Sequence, residues 1–183
     1  GEKQNYLFLK KFISYVSKNG CNKFYIHARN AVLSKLNPKK NRTIPTLNYK
    51  FVYKIKKDFP HLEIIINGGV DNIISIQNHL QSVDGVMIGR EVYKNPFFLK
   101  EIEEKIFNNK VKTTRKEILE KLVPYIENEI KENQTSIQSI TRHIFGLYTG
   151  MKGSKNWKRY LNKIRFMKGN VKDIILNGVA NIN

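Results

Sequence analysis

Ile64-Ile65-Ile66-Asn67-Gly68-Gly69 is an apolar run that empties into an amide and two glycines. An unbroken β-branched stretch reads as a buried strand. Glycines directly after it let the backbone approach an anion closely. Upstream, residues 47–59 have helical period, with Val52, Ile55 and Phe59 facing inward and Pro60 closing the segment. Downstream, Asp71 can cap a helix over 72–81 that contains Ile73, Ile74, Ile76 and Leu80. Gly85-Val86-Met87-Ile88 is a second short strand, ending at Gly89-Arg90, and Asn95-Pro96 open a further helix as cap and first residue.

Further upstream, residues 5–18 predict an amphipathic helix with the stripe Leu9, Phe12, Ile13 and Val16, stopped by Asn19-Gly20. Phe24-Tyr25-Ile26 is a third short strand, ending at His27-Ala28-Arg29. Between it and residue 47 lies a long polar connection with Pro38, Pro45, Lys39, Lys40 and Arg42, a length that points to a functional loop. Apolar strands alternating with helices predict a parallel α/β sheet covered on both faces. Three strands leave open edges, and the first clear element is a helix, so the chain is expected to enter its α/β domain partway through.

After Phe107 the pattern changes. Asn108 to Thr113 is polar and basic, and no strand is evident beyond it. Apolar spacing marks a helix from Ile118 to Ile130, interrupted near Pro124, and a second from Ile137 to Tyr148. A third carries Trp157, Leu161 and Ile164, and 171–177 forms a short last one. The expected organisation is thus an α/β part over 1–107 and a small helical bundle over 108–183.

The formal net charge of +18 points to a polyanionic partner. No acidic residue occurs from Lys3 to Lys57 or from Asn133 to Lys172, which suggests two faces built for phosphate. The alternative is a lysine-rich composition with no partner. Cys21 is the only cysteine, which excludes internal disulfides and Cys-based zinc sites. No HExxH, paired cysteines or carboxylate cluster argues for a metal, and no Ser/His/Asp pattern for a hydrolase. No run approaches the roughly 18 apolar residues of a membrane span. A soluble protein in a reducing compartment is expected, with cytosol and organelle both open.

The carboxyl ends of strands in a parallel α/β sheet lie on one face, so His27, Asn67-Gly68-Gly69 and Gly89-Arg90 are expected to converge. Backbone N–H groups at the glycines and the guanidinium of Arg90 suit a phosphate. His27 is read either as a ligand contact or as a core imidazole bonded to backbone. Arg29 is expected to pair with loop backbone or phosphate, and His61 and His79 to lie at the surface. His143, beside Arg142, is divided between RNA contact and plain exposure. On a helix, Lys155, Lys158 and Arg159 fall within one turn and are read as phosphate contacts rather than a merely solvated face. Trp157 and Tyr160 are read as packing inward, the reading preferred for Trp157, or as rings for base stacking.

His27-Ala28-Arg29-Asn30-Ala31, Leu36 to Pro45, Asn67-Gly68-Gly69, Asp84 to Arg90 with Asn95-Pro96, and the C-terminal Ile140 to His143 and Gly150 to Leu161 together resemble tRNA-dihydrouridine synthases, of the DusA-type subfamily. The resemblance covers about residues 5 to 165. It implies a (β/α)8 TIM barrel binding FMN, of which this chain is the C-terminal part, followed by a helical tRNA-binding domain. It implies NADPH-driven reduction of uridine to 5,6-dihydrouridine in the tRNA D-loop, by a monomeric, cytoplasmic enzyme. By the same resemblance His27 contacts the flavin, and Asn67, Gly68, Gly69, Gly89 and Arg90 hold its phosphate end. Lys39, Arg42, Lys155 and Lys158 fall where the subfamily contacts tRNA.

The family's catalytic cysteine stands in an Asn-x-Gly-Cys-Pro context that nothing here matches, so no catalytic residue is assigned and Cys21 is not promoted to general acid. The flavin-contacting lysine of the preceding strand is also unmatched. The chain is therefore read as a C-terminal fragment, expected neither to hold FMN tightly nor to turn over alone. Two other readings stand beside it. One is a non-enzymatic basic RNA-binding protein; the other is a different FMN-dependent barrel oxidoreductase, which leaves the helical part and the charge unexplained.

Overall fold

Strands β1 (Lys23–His27), β2 (Glu63–Asn67) and β3 (Gly85–Met87) form a parallel sheet in the order β1-β2-β3. The computed structural model describes residues 5–30, 32, 36–41, 43–180 and 182. The chain divides into two compact units, Gly1–Gly89 and Arg90–Asn183.

In the first unit, α1 (Tyr6–Lys18) precedes β1, while α3 (Tyr49–Asp58) and α4 (Ile73–Leu80) connect successive strands. Right-handed crossovers between strands that advance in one direction put both connecting helices on one face of the sheet. Phe24, Ile64 and Ile66 point to that face and pack with Ile13, Val52 and Ile55. The other face carries Tyr25 and Met87, 61% and 44% exposed, with Ile65 buried on the central strand. The expected covering of both faces is corrected here. A doubly covered sheet needs a reversal of strand order, which β1-β2-β3 lacks.

The amino ends of the strands are fixed by charge. The Asp84 carboxylate accepts from the Ile64 N–H at 2.8 Å and pairs with the Lys56 ammonium at 2.8 Å. Lys56 also donates to the Pro60 and Leu62 carbonyls, so one ammonium gathers the turn that feeds β2.

Three local expectations change. Phe12 is 54% exposed and lies with Phe8 and Tyr15 on a second apolar stripe of α1; Tyr6, Leu9, Ile13 and Val16 form the stripe that packs on the core. Asn72, not Asp71, caps α4, its side chain accepting from the Ser75 N–H at 2.8 Å. The long connection is not structureless, for α2 (Pro38–Asn41) lies within it.

In the second unit every described element is helical. After α5 (Arg90–Lys94) and α6 (Phe98–Lys105) comes α7 (Arg115–Asn133), which runs through Pro124 as one helix. Its start is a capping box, Thr114 accepting from Glu117 N–H while the Glu117 carboxylate accepts from Thr114 N–H at 2.7 Å. The expected helix 137–148 shortens to α8 (Ile137–Thr141), followed by a 3-10 turn over Arg142–Ile144. α9 (Ser154–Lys163) and α10 (Val171–Asn177) complete the unit.

Trp157, fully buried, is the centre of this core, its Nε1–H donating to the Ile144 carbonyl at 3.0 Å. Phe97 packs against the same cluster, and Arg115 lies 3.7 Å over its ring. The residues between Gly89 and Phe107 therefore pack with the helices that follow them. Asn95 makes no side-chain cap; its Oδ1 is buried without a partner among the described residues.

Candidate functional site

Parallel pairing sets His27 beside Asn67 and Asn67 beside Met87, so the three strand ends are neighbours. Directly after Asn67 the chain enters the left-handed region twice, at Gly68 (φ +117°) and Gly69 (φ +73°). A side chain there would also have to displace the end of the Leu47 side chain. A Cβ on Gly68 would stand 2.9 Å from Leu47 and 3.0 Å from the His27 ring. One on Gly69 would stand 2.5 Å from Leu47 and 3.0 Å from the Tyr49 hydroxyl. Among the described residues the Gly68 and Gly69 N–H groups donate to no backbone carbonyl of the turns and loops. Two such amides at the carboxyl end of a parallel sheet are donors suited to an anion.

His27 is exposed at the end of β1 and lies against this turn. Gly89 follows β3 with open space where its side chain would be. Arg90 is the first residue of α5 and of the second unit.

The loop between β1 and α3 is knitted by side chains. Asn41 accepts from Val32 N–H at 2.7 Å and donates to the Val32 and Leu36 carbonyls at 3.0 and 2.8 Å. This holds α2, with Lys39 and Lys40 exposed upon it. Arg29 donates to the Thr43 and Pro45 carbonyls, the loop-backbone pairing expected from sequence. Arg42 lies outside the described residues.

His79 corrects its expectation of surface exposure. It is 4% exposed, edge-on to Tyr49 with ring centroids 4.5 Å apart and with Nδ1 2.7 Å from the Tyr53 hydroxyl. Burial holds its pKa below the ordinary histidine value and pushes the Tyr49 and Tyr53 hydroxyls above theirs. The Tyr49 hydroxyl donates to the Gly68 carbonyl at 2.8 Å. No sequence pattern marked this tyrosine, because what it touches is nineteen positions away in the chain.

In the second unit, α9 turns Trp157 and Leu161 inward and leaves Lys155, Lys158, Arg159 and Lys163 exposed. Asn156, Arg159, Tyr160, Lys163 and Gly178 line a groove of about 280 Å³ beside this face. Asn156 and Lys163 were not singled out from the sequence, although their i, i+7 spacing places them on one side of the helix. His143 is exposed. Arg142 Nε–H donates to its Nε2 at 3.1 Å, and its Nδ1 lies within hydrogen-bond distance, 3.0 Å, of the Tyr93 hydroxyl.

The sequence model of the dihydrouridine synthase (Dus) family matches residues 1–180. The chain belongs to the dihydrouridine synthase family. It is 42% identical to the tRNA-dihydrouridine(20/20a) synthase of Vibrio cholerae, over 99% of this chain and 56% of that protein. It is 44% identical to the Pasteurella multocida protein of that name, over 87% of this chain and 49% of the relative. The Escherichia coli O6:H1 protein is also 44% identical, over 88% and 49%. The chain thus spans about half the length of the curated relatives it matches. Of the residues that the dihydrouridine synthase resemblance singled out, the first unit brings His27, Asn67, Gly68 and Gly69 together. Lys155 and Lys158 share one exposed helix in the other unit. No helix among the described residues is long and apolar enough to cross a membrane.

Proposed function

We propose that this chain supplies the FMN-phosphate-binding and tRNA-binding parts of a tRNA-dihydrouridine synthase, a cytoplasmic, monomeric, NADPH-driven enzyme acting on D-loop uridines. The observation that carries the reading is the Gly68–Gly69 turn, two amide donors in a backbone form that residues with a side chain rarely adopt. Residues 1–107 are assigned to the C-terminal part of a (β/α)8 barrel. The unreversed strand order supports this, as do the exposed Tyr25 and Met87 on the face a closed barrel would turn inward. Residues 108–183 are assigned to a helical tRNA-binding domain.

The residues at the turn fit a flavin phosphate. The N–H groups of Gly68 and Gly69 would hold its oxygens beside Asn67, and His27 would meet the flavin; Gly89 and Arg90 are carried over to the phosphate end from the family resemblance alone. When bound, FMN would supply the hydride, received from NADPH, to C6 of a uracil extruded from its stack, with the C5 proton coming from the family's cysteine acid, which no residue of this chain matches. Cys21 takes no part. It precedes β1, roughly 15–20 Å of strand rise from the carboxyl ends, and its thiol donates to the Lys23 carbonyl. Lys39 and Arg42 in the loop, and Lys155 and Lys158 on α9, would neutralise tRNA phosphates.

Titration of labelled, unmodified tRNA into the chain at several salt concentrations tests this. Replacing Lys155 and Lys158 together by Ala is expected to weaken binding by about tenfold and to lower the salt slope by about 1.5. An unchanged affinity and slope would remove α9 from the interface.

A further inference from the structure

We propose that Tyr49 is the positioning residue of the Gly68–Gly69 turn, aiming the Gly69 N–H at the anion. This rests on the reading of that turn as an anion site. The Tyr49 hydroxyl donates to the Gly68 carbonyl at 2.8 Å. That carbonyl and the Gly69 N–H belong to one planar trans peptide, so fixing the direction of the oxygen fixes the opposite direction of the N–H. At φ values of +117° and +73° the two glycines have no side chain of their own to restrain that plane, and unrestrained glycine is the most mobile residue.

The tyrosine is itself held. Its ring sits edge-on to the buried His79, at 70° and 4.5 Å. The helix it begins is anchored just before it, where Asn48 N–H donates to the Ala28 carbonyl at 2.7 Å and Leu47 fills the space over both glycines. The hydroxyl is thus presented from a rigid support to a flexible acceptor, which is the arrangement of a group that orients a site.

Tyr49→Phe keeps the ring and removes only the hydroxyl. The backbone order parameter of the Gly69 N–H, read by 15N NMR relaxation, is expected to fall in this variant from the rigid range of about 0.85 toward about 0.6, with the denaturation midpoint little changed. Inorganic phosphate, titrated against the Gly68 and Gly69 amide signals, should bind about fivefold more weakly. Tyr6→Phe removes a comparable bond, to Asp58 at 2.7 Å, and should leave the Gly69 order parameter at the wild-type value. Equal order parameters at Gly69 in Tyr49→Phe and wild type, or an equal drop in both variants, overturns the proposal. If phosphate moves neither glycine amide in the wild-type chain, the anion reading fails, and the order-parameter comparison still decides the role of Tyr49.

Discussion

His79 is the residue whose environment departs furthest from what its neighbours in sequence suggest. Gln77, Asn78 and Gln81 surround it with polarity, yet it is buried between Tyr49 and Tyr53. Burial depresses its pKa. The unfolded chain takes up a proton as pH falls below about 6.5, whereas the folded chain resists, so the unfolded state binds more protons and stability falls with pH. The difference is fully present above about pH 6.5 and is lost as pH falls through the depressed folded value. Urea midpoints at pH 7.5 and 5.5 are expected to differ in the wild type, and His79→Gln should narrow that gap. A gap unchanged by the substitution would assign it to other groups.

At the scale of elements, periodicity placed the strands and helices well where one apolar stripe existed. β2 and β1 fall where the apolar runs put them. It failed where two stripes competed, as on α1, and where a helix ends for tertiary reasons, as α8 does. Past α8 the chain must pass close to the end of α5: a Cβ on Gly146 would lie 2.0 Å from the Lys94 carbonyl oxygen, and the Thr149 hydroxyl donates to that oxygen at 2.9 Å. The obstacle is backbone, which cannot swing aside. Gly146→Ala should therefore destabilise the second unit by about 3 kcal/mol in chemical denaturation. Thr149→Ala, losing only the hydroxyl bond, should cost about 1 kcal/mol.

At the scale of the molecule the dominant quantity is charge, a net +18 with long acid-free blocks. If these blocks engage tRNA at six or more phosphates, as the proposed function requires, the affinity is expected to fall by about a thousandfold between 50 and 200 mM salt. A fall of less than tenfold, measured by anisotropy, would mean that the lysines are solvated rather than engaged. The same charge gives no information about fold, and the sheet gives none about charge; each unit carries its own share of basic surface, on the β1–α3 loop and on α9.

The amino-acid sequence by itself determined the class of each half, the positions of three strand ends, the glycine pair and the basic stretches. These depend on local period, on residue types that alone permit a backbone form, and on formal charge, all of which act over a few neighbouring residues. The tertiary structure decided which side of α1 meets the sheet, that the described helices of the first unit lie on one face of the sheet, that His79 is buried and that Tyr49 reaches Gly68. Those facts arise from contacts between residues far apart in the chain, where many partners are open to a given side chain and packing selects one.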